Sequence, residues 1–400
     1  MRVVYYTQSA YFASALLLAR ELSRLVELHL LLEVTPDAWQ IGQFDLQRRN
    51  LPSALVPADP VLGDSSAARL RPYWQDTASF NLVVHNQRRS LHPASWLVSR
   101  QVVQHLDRIA PDVVHIDDES LRLALALPRR SRRPIVLSVH DPEPHSGEHD
   151  WRSDLARRLM FGRVARFVLH NRTMAGAFAR QYGLRSDRVE VLPLGVYDTD
   201  REWPAAERLA VQPTVLFFGR LSPYKGLEVL YRAIPRVLER CPTARFVIAG
   251  RPIAGYRPPR PPESARSSVE EIFEHISNAR AADLFRRATV VVCPYTDATQ
   301  SGVVLTAYAF AKPVVGTRVG GMPEYVHHNE TGLIVPERHP EALADALVSI
   351  LSDESLRRRL AEGVSCLSAG DLSWPTIARQ TAAVYRDVLR NHRGRGQPAD

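Results

Sequence analysis

The sequence predicts an α/β protein of two domains, each built on a parallel sheet covered by helices on both faces. Three observations predict it. Short apolar runs rich in β-branched residues alternate with stretches of helical spacing along most of the chain. The run Val290-Val291-Val292-Cys293 holds no polar residue, as a strand buried on both faces requires. The chain has 400 residues, 45% of them apolar, which is material for two cores.

In the amino-terminal half, Val3 to Thr7 reads as a strand and Ala10 to Leu25 as a helix. Glu27 to Val34 is a second strand, whereas residues 36–60 show no clean period and read as loop. Phe80 to His85 is a strand, Ser95 to Ile109 a helix, and Pro111 to Ile116 the next strand. Pro134 to His140, Arg166 to His170 and Val189 to Pro193 complete the set. The polar span from Gly195 to Gln212 is a natural boundary.

A second α/β set then begins. Thr214 to Gly219 is a strand, Gly219 to Gly226 a loop, and Leu227 to Arg240 a helix. Arg245 to Gly250 is a strand, and the proline- and arginine-rich stretch 251–268 reads as a mobile excursion. Glu270 to Ile276 and a helix over Ala279 to Arg287 lead into the stretch TVVVCPYTDATQSGVVLTAYAFAKPVVGTRVGGMPEYV at 289–326. There Ser301 takes the N-cap position of a helix, Pro313 to Val315 begin a strand, and Gly320 to Pro323 form a turn that brings Glu324 back to the sheet edge. Helices over Pro340 to Leu351, Glu354 to Glu362 and Trp374 to Leu389 close the chain, with disorder expected from His392.

Strand ends and a helix amino terminus thus converge on one crevice, where open α/β sheets bind ligands. The free N–H groups of Gly302 to Val304 favour an anion, a phosphate foremost, although an ordinary βαβ unit would look the same. Arg220 and Lys225 add a two-pronged cationic site from the neighbouring loop. In the first half, His140-Asp141-Pro-Glu-Pro-His145 follows a strand directly. A rigid turn with solvated polar groups competes there with a ligand site, and proline on both sides of Glu143 makes a convergent metal set hard to build. The loop Thr7-Gln8-Ser9-Ala10 is polar but lacks glycine, so it is a poor phosphate cradle.

The formal charge of +8 is carried almost wholly by arginine, because Lys225 and Lys312 are the only lysines. No nucleic-acid motif accompanies it, which argues against a nucleic-acid partner. Arginines cluster at 129–133 and again at Arg152, Arg157, Arg158, Arg163 and Arg166 among apolar residues. A solvated helix face is the default reading, and contact with an anionic membrane surface the alternative. No apolar run reaches the roughly 20 residues of a membrane span. The opening MRVVYYT does not read as a signal peptide, so a cytoplasmic location is expected. The three cysteines, Cys241, Cys293 and Cys366, suggest neither a disulfide framework nor a zinc site.

Four stretches resemble the retaining glycosyltransferases of the GT-B fold in glycosyltransferase family 4, group 1. They are VHDPEPH at 139–145, VEVLPLGV at 189–196, FFGRLSPYKGLEVL at 217–230, and residues 293–336. The resemblance implies two Rossmann-like domains facing a cleft: an acceptor domain over residues 1–200 and a nucleotide-sugar donor domain over 201–373. A helix at 374–391 would cross back to the first domain, followed by a disordered tail at 392–400. It implies no metal and no cofactor, the nucleotide-sugar being a substrate. Arg220 and Lys225 match the pair that holds the pyrophosphate, and His140 the histidine that reaches the transferred sugar. Gln300, Ser301 and Gly302 match the loop whose amides meet sugar and phosphate; Gly219, Asp297, Val303 and Glu324 complete the donor set. Gln8, Ser9, Asp141 and His145 fall on the acceptor side, for a glycan, a lipid-linked or a small-molecule acceptor.

This chain departs from many relatives at two positions. Two glutamates separated by seven residues are replaced by Ala298 and Thr306, and the chain resembles instead the subset reading Thr-Gln-Ser-Gly-Val at 299–303. Asp297 is placed to substitute for the first. Thr306 is expected to bond back to the preceding helical turn. Rival readings on the same residues are a same-fold phosphorylase or sugar-nucleotide epimerase, a non-catalytic sugar-nucleotide-binding subunit, and a membrane-docked adaptor.

Overall fold

A computed structural model of the chain describes residues 1–36, 51–62, 68–128, 133–142, 151–203, 212–298 and 300–394. Two sheets carry the fold. The first contains β1 (Arg2–Gln8), β2 (Glu27–Val34), β3 (Leu55–Pro57), β4 (Ser79–Val84), β5 (Val113–Asp117), β6 (Ile135–Val139), β7 (Val164–Leu169) and β8 (Val189–Val191). Their order is β3-β4-β2-β1-β5-β6-β7-β8, and all neighbours are parallel except the β3–β4 pair. The second contains β9 (Thr214–Phe218), β10 (Arg245–Ala249), β11 (Val269–Ile272), β12 (Val290–Cys293), β13 (Val314–Thr317) and β14 (Gly332–Val335). These run all parallel in the order β11-β10-β9-β12-β13-β14.

In both sheets the strand order reverses beside the first strand. β1 lies between β2 and β5, and β9 between β10 and β12. Each reversal splays the following loops apart and opens a crevice at the strands' carboxyl ends. Alternation along β1 sends Val3 and Tyr5 to one core and Val4 and Tyr6 to another, so the strand is buried on both faces. One apolar cluster runs from Val3 and Tyr5 through Leu216 and Val291 to Trp374 and Tyr385, joining both sheets with the final helix.

That helix, Trp374–Gly394, packs against the Phe12–Leu22 helix of the first domain. Its first residue ties down the connection between the sheets: Trp374 Nε1 donates to the Val196 carbonyl at 2.8 Å. Further along, the Tyr385 hydroxyl lies 2.6 Å from His115 Nδ1. Burying an aromatic ring of this size contributes about 2–3 kcal/mol.

The structure differs from the sequence reading in four places. Within 36–60, expected as loop, Leu55–Pro57 forms an antiparallel edge strand on β4; residues 37–50 lie outside the described part. Proline at its end suits an edge, where no ladder N–H is needed. β14 has only four residues, begins with glycine, and carries no period long enough to read from sequence. The 251–268 stretch is not a mobile excursion. Ile253 N donates to the Leu221 carbonyl at 2.9 Å, Leu221 N to the Arg251 carbonyl at 2.9 Å, and Ala265 is buried. Its prolines stiffen the chain and lower the entropy cost of holding it there. The last helix continues to Gly394, past the His392 at which disorder was expected, and residues 395–400 lie outside the described part.

Candidate active site

From the second domain, the site is built at the carboxyl end of β9. Gly219 has φ +104°, and a Cβ there would stand 3.0 Å from Lys225 Nζ, so the loop closes tightly only without a side chain. Gly226 has φ +68°, and a Cβ there would strike the Pro294 carbonyl oxygen at 1.9 Å. The two glycines therefore press the Arg220–Lys225 loop against the end of β12. Lys225 is buried, donates to the Tyr295 hydroxyl at 3.3 Å and lies 5.0 Å from the centroid of that ring, while Arg220 is exposed. Burial pushes the Tyr295 phenol well above its ordinary range, so it stays protonated.

The Gly302–Ala309 helix starts where expected, with Ser301 at the N-cap position. Ser301 does not cap it, however. Its Oγ lies 3.4 Å from the Tyr295 hydroxyl, so the first N–H groups keep no side-chain partner from it. Thr306 does bond back, its hydroxyl donating to the Gly302 carbonyl at 3.0 Å. Ala298 is buried against Gly320 and leaves no carboxylate in its place.

From the first domain comes His140, immediately after β6. In the β5–β6 ladder Asp117 pairs with Ser138, and His140 lies two residues further along, so its side chain leaves the same face as that of Ser138. His140 Nε2 lies 2.8 Å from Asp117 Oδ1, and Asp117 Oδ2 accepts from the Thr7 hydroxyl at 2.9 Å. The His140 ring stacks on Tyr11 with centroids 3.8 Å apart and planes 8° apart. Across the cleft, Gln300 Nε2 lies 3.3 Å from His140 Nδ1, a direct link between the domains. The Gln300 Oε1 atom is buried with no partner.

These groups line one cavity of about 260 Å³ between the domains. Arg220, Lys225, Gln300, Ser301, Gly302 and Val303 reach it from one side, and His140 and Asp141 from the other. Tyr11, Tyr197, Tyr224 and Tyr295 also line it, and sequence reasoning missed all four. Tyr295 carried a local signal, standing two residues after a buried strand, and Tyr224 another, standing beside Lys225 in the 217–230 stretch.

Other expected residues lie elsewhere. Gly219, Asp297, Gln8 and Ser9 do not line the cavity. Gln8 Nε2 donates to the Glu119 carbonyl at 2.9 Å, bracing the β1 and β5 loops, and Ser9 opens a short 3₁₀ turn. His145 and Glu143 fall outside the described residues. Glu324, expected with the donor set, instead accepts from Arg172 N at 2.7 Å, Thr173 N at 2.6 Å and the Thr173 hydroxyl. It caps the Arg172–Gln181 helix of the other domain, where unpaired N–H groups and the helix dipole attract a carboxylate. Arg157, expected on a solvated face, is turned inward: it donates to Glu119 at 2.7 Å and to the Asp141 carbonyl at 2.6 Å, which fixes the loop after His140.

Among the described residues, the one trio of metal-ligand side chains that lie close together is Asp117, His140 and His170, with ligand atoms within 4.8 Å. Two of the three are already hydrogen-bonded to each other. Burial pushes the His115 pKa down to about 4 and that of His170 to about 3, so both stay neutral in the folded protein. In the unfolded chain they gain protons near pH 6.5, so the unfolded state binds more protons below that value and stability falls with pH. Thermal unfolding should therefore lose roughly 2–3 kcal/mol per histidine between pH 6.5 and 4. His115→Gln and His170→Gln should each flatten that profile in a pH series of melts.

The comparisons with known proteins agree with this architecture. Residues 13–201 match the family described as Glycosyltransferase Family 4, and residues 212–353 match Glycosyl transferases group 1. A phosphatidyl-myo-inositol mannosyltransferase of Mycobacterium leprae (strain TN) is 30% identical over 359 residues, 85% of each chain. A D-inositol 3-phosphate glycosyltransferase of Corynebacterium glutamicum (strain R) is 32% identical over 193 residues, 46% of this chain and 45% of that one. The match thus spans about half the length of that relative. Among solved structures, Anabaena HepE in complex with UDP-glucose aligns with a TM-score of 0.64 at 17% identity, covering 97% of this chain and all of the other. No helix among the described residues is long and apolar enough to cross a membrane. With both halves matched in order and a relative aligned over most of its length, the chain belongs to the GT-B glycosyltransferases of family 4, group 1.

Proposed function

We propose that this protein transfers a sugar from a nucleotide-sugar donor to an acceptor hydroxyl, with retention of configuration and without a metal. The observation that carries the proposal is the single cavity onto which Arg220, Lys225, the amino end of the Gly302–Ala309 helix, Gln300 and His140 all open. The bond between the anomeric carbon and phosphate breaks, and its electron pair goes to the leaving phosphate oxygen. Arg220, Lys225 and the helix N–H groups stabilise that growing charge, the part a metal plays in other transferases. The acceptor oxygen bonds to the anomeric carbon on the face the phosphate leaves, and its proton goes to the departing phosphate. His140 and Gln300 orient the sugar.

The inositol phosphate acceptors in the names of both relatives favour a phosphorylated inositol, free or lipid-borne, as the acceptor. The UDP-glucose in the HepE complex makes a uridine nucleotide the first donor to try. An exposed rim favours a lipid-borne acceptor at an anionic membrane. Leu91, Trp96, Leu97 and Trp151 are 61%, 47%, 55% and 54% exposed. Arg100 lies 4.9 Å over Trp96 and Arg152 lies 5.6 Å over Trp151. The Pro93–Ile109 and Trp151–Met160 helices both pack on the Leu121–Ala126 helix, and each carries an arginine over an exposed tryptophan, the composition that binds anionic lipid surfaces. The test is transfer in EDTA, with the acceptor offered free or in anionic vesicles. Acceptor-dependent release of nucleoside diphosphate in EDTA is expected. Turnover that needs inorganic phosphate would mark a phosphorylase instead, and turnover that needs added metal would refute the metal-free mechanism.

A further inference from the structure

We infer that Asp117 is a positioning residue that fixes the tautomer of His140, so that a lone pair rather than a proton on Nδ1 meets the Gln300 amide of the other domain. The functional half of this inference rests on the proposed contact between His140 and the transferred sugar; the tautomer itself does not.

Asp117 ends β5 and is only 2% exposed. Its ion-pair partner is His140, and among the described residues no arginine or lysine pairs with it. Burial works against its charge, yet the neighbouring His140, hydrogen-bonded to it, holds its carboxyl below the usual carboxylate range. An ionised carboxylate only accepts, so His140 Nε2 carries the proton and, in the neutral ring, Nδ1 carries the lone pair. That lone pair faces the Gln300 amide, which donates to it at 3.3 Å. The stacked Tyr11 ring fixes the plane in which it points. His170 cannot take over the task. Its Nδ1–H is committed to the Leu192 carbonyl at 3.0 Å, and its Nε2 is buried without a partner. His140 Nδ1 thereby accepts from Gln300 across the domains, a bond that the other tautomer, with its proton on Nδ1, would lose. The same bond orients the Gln300 amide, whose Oε1 atom is buried without a partner beside the cavity.

Thr7 makes the inference testable. Its hydroxyl donates to Asp117 Oδ2 now, but a hydroxyl also accepts. In Asp117→Asn the new amide nitrogen can turn to Thr7 and leave the amide oxygen on His140, so the tautomer survives. In Asp117→Asn with Thr7→Val the amide nitrogen loses the Thr7 hydroxyl as its acceptor and turns to His140, which forces the proton onto Nδ1. The account therefore predicts strong coupling. Each single substitution should keep kcat within about tenfold, while the double variant and Asp117→Ala should lose on the order of 10²-fold, with the donor KM little changed. Nitrogen-15 spectra of histidine-labelled protein should show His140 as the Nε2–H tautomer in the wild type and both single variants. The double variant should show the Nδ1–H tautomer.

Equal effects from the single and double variants, or an unchanged tautomer in the double variant, would overturn the inference. If Asp117→Ala does not fold, the Thr7→Val pair carries the test alone. A fully active His140→Ala would sink the sugar contact itself, while the spectra would still decide whether Asp117 sets the tautomer.

Discussion

His140→Ala and Gln300→Ala should each lower kcat by on the order of 10²-fold, the effect expected of residues that hold the group being transferred, the role proposed for both. Thr306→Ala should change donor affinity by less than ~1 kcal/mol. The contrast follows from where the three side chains spend their hydrogen bonds. His140 and Gln300 line the cavity between the domains, and the Gln300 amide meets the His140 ring. Removing either one loosens the domain contact and leaves the sugar free to turn. The Thr306 hydroxyl is spent on the Gly302 carbonyl, so its loss removes a helix-internal bond and no ligand contact. Steady-state kinetics of the three variants check this. A large loss from Thr306→Ala beside mild effects at the other two would mean that this loop holds the ribose and not the sugar.

Arg220→Ala and Lys225→Ala should each weaken nucleoside diphosphate binding by ~1.5–3 kcal/mol, the range of a charged hydrogen bond. The two are not equivalent. Arg220 is exposed, can swing, and carries a planar fork suited to two phosphate oxygens at once. Lys225 is buried against Tyr295 and held where a Cβ on Gly219 would stand 3.0 Å from its Nζ, so its charge is fixed in place before the donor arrives. Lys225 should therefore cost more on truncation, and Lys225→Arg should not rescue it, because the guanidinium has no room there. Calorimetric titration of the variants reads the difference. Wild-type affinity in both alanine variants would place the phosphate site elsewhere.

What could be read from sequence was local. The Val290–Cys293 run, the glycines flanking Arg220 and Lys225, and the Ser301 position each sit within one strand–loop–helix unit, and spacing alone revealed them. What could not be read depends on the register between strands. Asp117 stands 23 residues before His140, and only the β5–β6 pairing brings them together. Tyr11 reaches the cavity from the loop after β1 with no motif around it, and Tyr197 from the connection between the sheets, one residue past the 189–196 stretch. Glu324 was misplaced for the opposite reason. Its Gly-Gly-x-Pro-Glu turn is a recognisable unit, but the carboxylate's partner is a helix end in the other domain. The arginine cluster misled in the same way at Arg157, whose partners, Glu119 and the Asp141 carbonyl, are distant in sequence.

The measurement that bears most directly on the central claim is the anomeric configuration of the product, read by proton NMR. An α-linked nucleotide-sugar and a phosphorylated inositol acceptor are incubated with the full chain in EDTA. The account predicts an α-linked product and one nucleoside diphosphate released per transfer. A β-linked product, or release of sugar only to inorganic phosphate, would contradict it.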